Sequence, residues 1–162
     1  MEMYELWKGV LVMYSDKVTI FNRSGSEKKG FTWFPTVLDS VDVTVDKGAN
    51  QQKTGIEKAD SAKLHIRYFK TVESIVVSGK KYITPKLWER QDKSEKAATI
   101  TFNEGVDFFM IGEYPETPIE EDEGSLSGGV FDTFNRNLDG VYKITTVGGP
   151  YKLIPHFELG GA

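Results

Sequence analysis

The chain has 162 residues and a mass of 18.2 kDa, the size of one ordinary domain with room for a core. At 39% hydrophobic and 12% aromatic residues it is too apolar for a disordered chain, and no apolar run is long enough for a bilayer helix. A net charge of -4 argues against a broad nucleic-acid-binding face, while zero cysteines exclude disulfides, thiolate nucleophiles and cysteine-bound zinc and fit a reducing compartment.

Residues 1–15 carry Tyr4, Leu6 and Trp7, too apolar for a free tail, and read as an N-terminal arm that docks on another surface. Met1-Glu2 opens without a basic or apolar leader, so no secretory signal is expected. Lys17 to Asn22 reads as a strand, and Arg23-Ser24-Gly25-Ser26 as the turn that ends it. In the next strand Val37, Val41, Val43 and Val45 fall on one face, with Leu38, Ser40, Asp42 and Thr44 on the other. Lys47 to Asp60 is polar, glycine-bearing and nonperiodic, and reads as a long loop, mobile in the free protein. Leu64, Ile66 and Tyr68 then alternate against Lys63, His65 and Arg67. Ser74 to Val77, Ser78-Gly79 and Lys81 to Ile83 suggest a hairpin, and Pro85 opens a short helix over Lys86 to Gln91.

Thr99 to Phe102 and Val106 to Ile111 flank Asn103-Glu104-Gly105, the pattern of a second tight hairpin. Residues 112–135 form an acidic loop insertion, with at most one helical turn in Ser125 to Phe134. Asp139-Gly140 starts a strand over Val141 to Val147, and Gly148-Gly149-Pro150 turns the chain into a last strand over Lys152 to Leu159. The expected fold is mainly β. It is a single domain over residues 1–162, a small antiparallel β-barrel or sandwich-like body of roughly seven to nine strands, with long loops and one or two short helices. Its expected core includes Val18, Ile20, Val41, Val43, Leu64, Ile66, Ile100, Phe102, Phe108, Ile144 and Leu153.

Chemistry-bearing patterns are few. His65 and His156 lie far apart in sequence, the first on the polar face of a strand, the second beside Phe157 where packing or an interface is the plain reading. There is no phosphate loop, no His-Glu-x-x-His and no Gly-x-Ser-x-Gly, so no catalytic residue, no metal and no cofactor is expected. Glu120, Glu121, Asp122 and Glu123 run consecutively, without the alternating oxygen spacing of a calcium loop. They read as a solvated acidic loop or as a surface for a basic partner. Trp33 and Phe34 read first as core, and second as rings able to stack sugars or single-stranded bases.

Several ordered pieces carry a resemblance. They are Asp16 to Asn22, Thr36 to Val41, Lys47-Gly48-Ala49-Asn50, Ala59-Asp60 leading into Leu64-His65-Ile66, Lys81 to Trp88, Thr101 to Asp107, and His156 to Gly161. In this order they resemble a family of small uncharacterised proteins encoded in the structural-gene blocks of phages and prophages of Gram-positive bacteria. The resemblance implies a head–tail connection component, and the β body with one long loop looks like a head-closure (stopper) protein. It implies a location in the neck of the virion, after synthesis in the bacterial host cytoplasm. The implied partners are further copies in a hexameric ring, the head connector or adaptor, and the tail terminator, with packaged DNA passing through the channel without sequence-specific binding and no membrane involved. Alternatives are a tail terminator or connector adaptor of the same neck, or a carbohydrate- or single-stranded nucleic-acid-binding module. The reaching loop would use Lys47, Asn50, Gln51, Gln52, Lys53 and Ile56. Interface arms would use Tyr4, Leu6 and Trp7 at one end and His156, Phe157 and Leu159 at the other, joining copies only on a template.

Overall fold

The computed structural model describes residues 16–52, 55–121 and 129–162, with residues 47–52 and 55–59 described by their backbone alone. The expected N-terminal arm with Tyr4, Leu6 and Trp7 lies outside the described residues, as do Lys53, Asp122 and Glu123. The fold is mainly β, as expected. Strand β1 (Asp16–Ser26) pairs antiparallel with the long β2 (Gly30–Gln52), which pairs in turn with β3 (Gly55–Arg67). Arg23 to Ser26, expected as a turn, stay paired in β1, and the chain reverses over residues 27–29.

Four short strands form a separate sheet: β4 (Phe69–Lys70), β5 (Ile75–Val77), β6 (Lys80–Tyr82) and β7 (Thr99–Ile100). The β5–β6 hairpin is as expected; its turn residues Ser78 and Gly79 both take positive φ, at 46° and 83°, which suits a two-residue connection. Helix α1 (Pro85–Glu89) has proline in its first turn, as expected. Helix α2 (Lys93–Ala98) is additional, opened by the Asp92 carboxylate accepting from the Glu95 backbone N–H at 2.8 Å. Strands β8 (Phe108–Ile111), β9 (Ile119–Glu121), β10 (Val141–Tyr151) and β11 (His156–Gly161) complete the large sheet, with helix α3 (Gly129–Asn137) between β9 and β10.

The large sheet has the order β1-β8-β10-β11-β3-β2-β9, and β2 also pairs with β1. One bent strand thus serves both ends of the sheet: β1 holds β2 from residue 30 to 41, and β3 holds it from residue 41 to 52. The body is a rolled sheet joined along β2 rather than an evenly closed barrel, with β9 laid against Phe31 to Trp33. β7 and β8 do not form the expected hairpin. β7 runs parallel to β6 while β8 lies between β1 and β10, because Asp107 holds the intervening turn.

The core has two parts. The main one contains Val18, Ile20, Leu38, Val41, Leu64, Ile66, Ile100, Phe102, Phe109, Ile144, Phe157 and Leu159. The second gathers Phe21, Trp33, Phe108, Met110, Val130 and Val141 beneath α3, and Phe21 stacks on Phe108 at 4.4 Å between ring centroids. β1 and β8 are therefore apolar on both faces, which explains the continuous run Phe108-Phe109-Met110-Ile111.

Two expectations about the core fail on bulges. Between Leu38 and Val41, β2 takes three residue steps where β1 takes two, so both side chains point inward and the alternation assigned to Val37 and Leu38 is reversed. In β10 an extra residue between Gly148 and Tyr151 carries the strand through the expected turn. The reversal comes instead at residues 152–155, where Leu153 is 99% exposed rather than buried. Val43 is only half-buried at the edge of the core. Gly161 marks a close approach in the core, since a Cβ there would meet the Phe109 ring at 2.6 Å.

Asp107 is buried and accepts from three donors: the Arg23 backbone N–H at 3.0 Å, Asn22 Nδ2 at 2.9 Å and the Asn103 backbone N–H at 2.9 Å. Desolvation pushes its carboxyl up to about 7 against the pull of these donors. The native state then keeps a proton that the unfolded chain loses from the ordinary carboxylate range upward. Stability should fall by roughly 1.4 kcal/mol per pH unit between about pH 4 and 7 from this group, and level off above. Asp107→Ala should remove that slope and cost about 2–4 kcal/mol at pH 6 by orphaning the donors, measured by urea unfolding across pH.

Candidate functional site

The described residues of the segment Lys47 to Asp60, 47–52 and 55–60, form a two-stranded arm and not a loop. Its backbone continues the β2–β3 ladder from Asp46 opposite Ser61 to Gln52 opposite Gly55. β11 accompanies β3 only as far as Ala62, so among the described residues neither edge of the arm has a third strand. At about 3.3 Å per residue it extends roughly 20 Å past the sheet. Lys47, Asn50, Gln51, Gln52 and Ile56 are all on this arm; their side chains and the whole of Lys53 lie outside the described residues. The sequence missed the strands because an arm without a core beneath it has no apolar face to alternate.

The described parts of the acidic segment, residues 112–121 and 129–135, are not a free loop insertion. Val130, Phe131 and Phe134 of α3 pack on the aromatic cluster of Phe21 and Phe108, so residues 129–137 cover one face of the body. Glu121 lies in β9, where Oε1 accepts from the Val130 backbone N–H at 2.6 Å and from Trp33 Nε1 at 3.3 Å. It satisfies the start of α3 from across the sheet. Glu120 accepts from Thr32 Oγ1 at 2.9 Å and faces Lys93 at 3.7 Å. Earlier in the segment Glu113 pairs with Lys17, and Glu116 accepts from the Val37 backbone N–H. These carboxylates hold elements of the body together.

The C-terminal strand also departs from expectation. Phe157 and Leu159 are buried in the chain's own core with β11 between β10 and β3, so they are not an interface arm. The apolar side chains exposed at this end are instead Leu153 and Ile154 in the β10–β11 turn. Trp33 and Phe34 are buried, as the core reading expected, and Trp88 is too. None of the three offers an open ring face for stacking.

An open cleft of about 630 Å³ lies beside α1, lined by Arg23, Lys86, Trp88, Glu89, Thr101 and Asp107. Trp88 Nε1 and Thr101 Oγ1 are buried there without a hydrogen-bond partner among the described residues. The Glu89 carboxylate closes one side, accepting from Ser24 Oγ at 2.8 Å, the Gly25 backbone N–H at 3.1 Å and Lys96 Nζ at 3.3 Å.

The two histidines, far apart in sequence, meet on the outer face of the large sheet. The register sets Asp42, His65 and Glu158 in one row across β2, β3 and β11, and His156 lies two residues before Glu158 on the same face. Their rings are 5.7 Å apart. His65 Nε2 is 3.4 Å and His156 Nε2 3.0 Å from the same Glu158 oxygen, Oε1. The hydrogen bond with His156 holds Glu158 below the usual carboxylate range. This is the one group of His and carboxylate side chains among the described residues with the convergence to hold a metal ion. Strand pairing alone creates it, and no spacing in the sequence signals it.

The chain belongs to a family of unknown function, DUF6751, which matches residues 13–162. No curated protein and no solved structure matches it.

The acidic segment yields a direct test. Glu121→Ala should cost about 1–2 kcal/mol by leaving the Val130 N–H and the Trp33 indole without their acceptor. Glu120→Ala, which removes an exposed pair, should change stability by less than about 0.5 kcal/mol. Thermal unfolding of both variants distinguishes structural carboxylates from ones held free for a partner.

Proposed function

We propose that the protein is a structural component of a phage virion neck, a head-closure (stopper)-like ring protein joining the head connector to the tail. The observation that carries this reading is the arm. A two-stranded ribbon that leaves its own sheet buries little against its own body, and isolated hairpins are marginal in water. Such an arm is put to use when its open edges meet another chain, by strand addition or by insertion between neighbours. The rigid sheet at its root supplies the fixed platform that a ring subunit needs.

The ordered resemblance to phage structural-gene proteins supports the same reading, since it runs through both strands of the arm. The helix-poor fold supports head closure over the other neck positions, an adaptor being expected to be mostly helical and a terminator mixed α/β. Burial of Trp33, Phe34 and Trp88 weakens the alternative of a sugar- or base-stacking module. Assembly on a template fits the polar outer faces of the strands, which among the described residues offer no broad apolar surface for a permanent ring.

In the phage or prophage that carries the gene, the protein should copurify with complete particles and form a ring at the neck in electron micrographs. Replacing residues 50–57 by Asn-Gly joins Ala49 to Lys58 through a two-residue turn and should leave the circular dichroism spectrum and melting temperature unchanged. Filled heads assembled with that variant should leak DNA. Absence of the protein from purified particles would overturn the reading.

A further inference from the structure

We propose that His65, His156 and Glu158 form a binding site for one divalent transition-metal ion of the zinc class, with a remaining coordination position open to solvent. The inference rests on these side chains alone and does not depend on the neck reading.

The convergence of the side chains carries the argument. His156 Nδ1 lies 2.6 Å from the Ile154 carbonyl oxygen, which can only accept, so this bond fixes how the ring is turned. Nε2 is thereby aimed at the Glu158 carboxylate, 3.0 Å away. A cation that replaces the proton between them would take both atoms as ligands. His65 Nε2 faces the same Glu158 Oε1 at 3.4 Å, while its Nδ1 stands 3.8 Å from Asp42 Oδ2, beyond hydrogen-bond reach. Each imidazole thus turns one nitrogen to a shared carboxylate, and His156 has behind its ring the carbonyl that orients metal-bound histidines.

The dimensions agree. Ligands about 2.0–2.1 Å from a tetrahedral ion stand about 3.3 Å from one another, and the two nitrogen–oxygen gaps, 3.4 and 3.0 Å, bracket that separation. The three ligand atoms all lie within 4.8 Å of one another. Two imidazoles and one carboxylate suit zinc and its neighbours, whereas magnesium and calcium prefer oxygen.

Glu158 and Asp42 bring two negative charges to this face, and Lys63 and Arg67, on the same face of β3 opposite Gly160 and His156, balance them. The position is accessible: a shallow hollow of about 290 Å³ lies beside it, lined in part by Lys63, Thr146 and Tyr151. The Tyr151 ring packs 5.0 Å from His156 and limits where that imidazole can turn. The ligands sit on two paired strands, so the cost of ordering them is met by the sheet.

Metal-free full-length protein titrated with zinc chloride in a calorimeter should bind one ion per chain, and magnesium chloride should give no such isotherm. His65→Gln and Glu158→Gln should each weaken zinc binding at least tenfold while leaving the melting temperature of the metal-free protein unchanged. Lys63→Ala should tighten binding. His156→Ala removes a partly buried ring, so His65→Gln, at the more exposed position, is the deciding variant. Cobalt substitution should give the visible absorption of a four-coordinate ion and lose it in the same variants. Absence of stoichiometric zinc, or zinc affinity within twofold of the parent in both His65→Gln and Glu158→Gln, would overturn the proposal.

Discussion

A buried carboxyl sets the phase of this fold. Asp107 accepts from the Arg23 backbone and the Asn22 side chain of β1 and from the Asn103 backbone of the turn before it. Its own carbonyl accepts from the Ile144 N–H of β10, whose carbonyl in turn accepts from Gly105. Asn22 also donates to the Thr101 carbonyl at 2.6 Å. Three segments distant in sequence are thereby tied at one residue, in a place too dry for water to take over the bonds. The next residues inherit their direction from it. Phe108 must point out toward Phe21 and α3, and Phe109 must point in toward Gly161 and Tyr142. A slip of one residue would exchange these rings and empty both cores.

The sequence shows what faces a core and hides what does not. Val18, Ile20, Leu64 and Ile66 could be read because each alternates over one continuous buried face. Periodicity places Leu38 on the wrong side because a bulge inserts a residue that it cannot count. Helix α2 carries an N-terminal signature, Asp92 followed three residues later by Glu95, but no apolar periodicity, since it buries only Lys96. The arm stayed hidden for the opposite reason to a buried strand. Its residues answer to no core of their own, so composition made them resemble a loop.

The histidine group lay beyond any local reading. His65 and Glu158 are neighbours only because β11 pairs with β3, and His156 joins them only because the β10 bulge and the 152–155 turn place Ile154 behind its ring. A lone histidine on a polar strand face is ordinarily a surface residue, and each of the two looked so by itself. Register between distant strands is the one quantity that single-chain patterning leaves open, and here it decides the most interesting chemistry on the surface.

The position of that group matters for the arm. β3 is the strand common to both: its later half, carrying His65, lies between β2 and β11, and its earlier half leaves the sheet paired with β2 alone. Asp42, in the row with His65, stands at the root from which β2 runs outward. A force or a partner acting at the arm's tip is therefore resisted by the Asp42–His65–Glu158 row and by the core pairs beneath it, Val41 with Ile66 and Val43 with Leu64. Cross-strand contacts each contribute only a fraction of a kcal/mol to about 1 kcal/mol, so much of that resistance must come from the buried side. An ion held by His65, His156 and Glu158 would add a bond from β3 to β11 on the outer side. The root would then be clamped from both faces, and the arm could transmit a load without peeling β3 from the body.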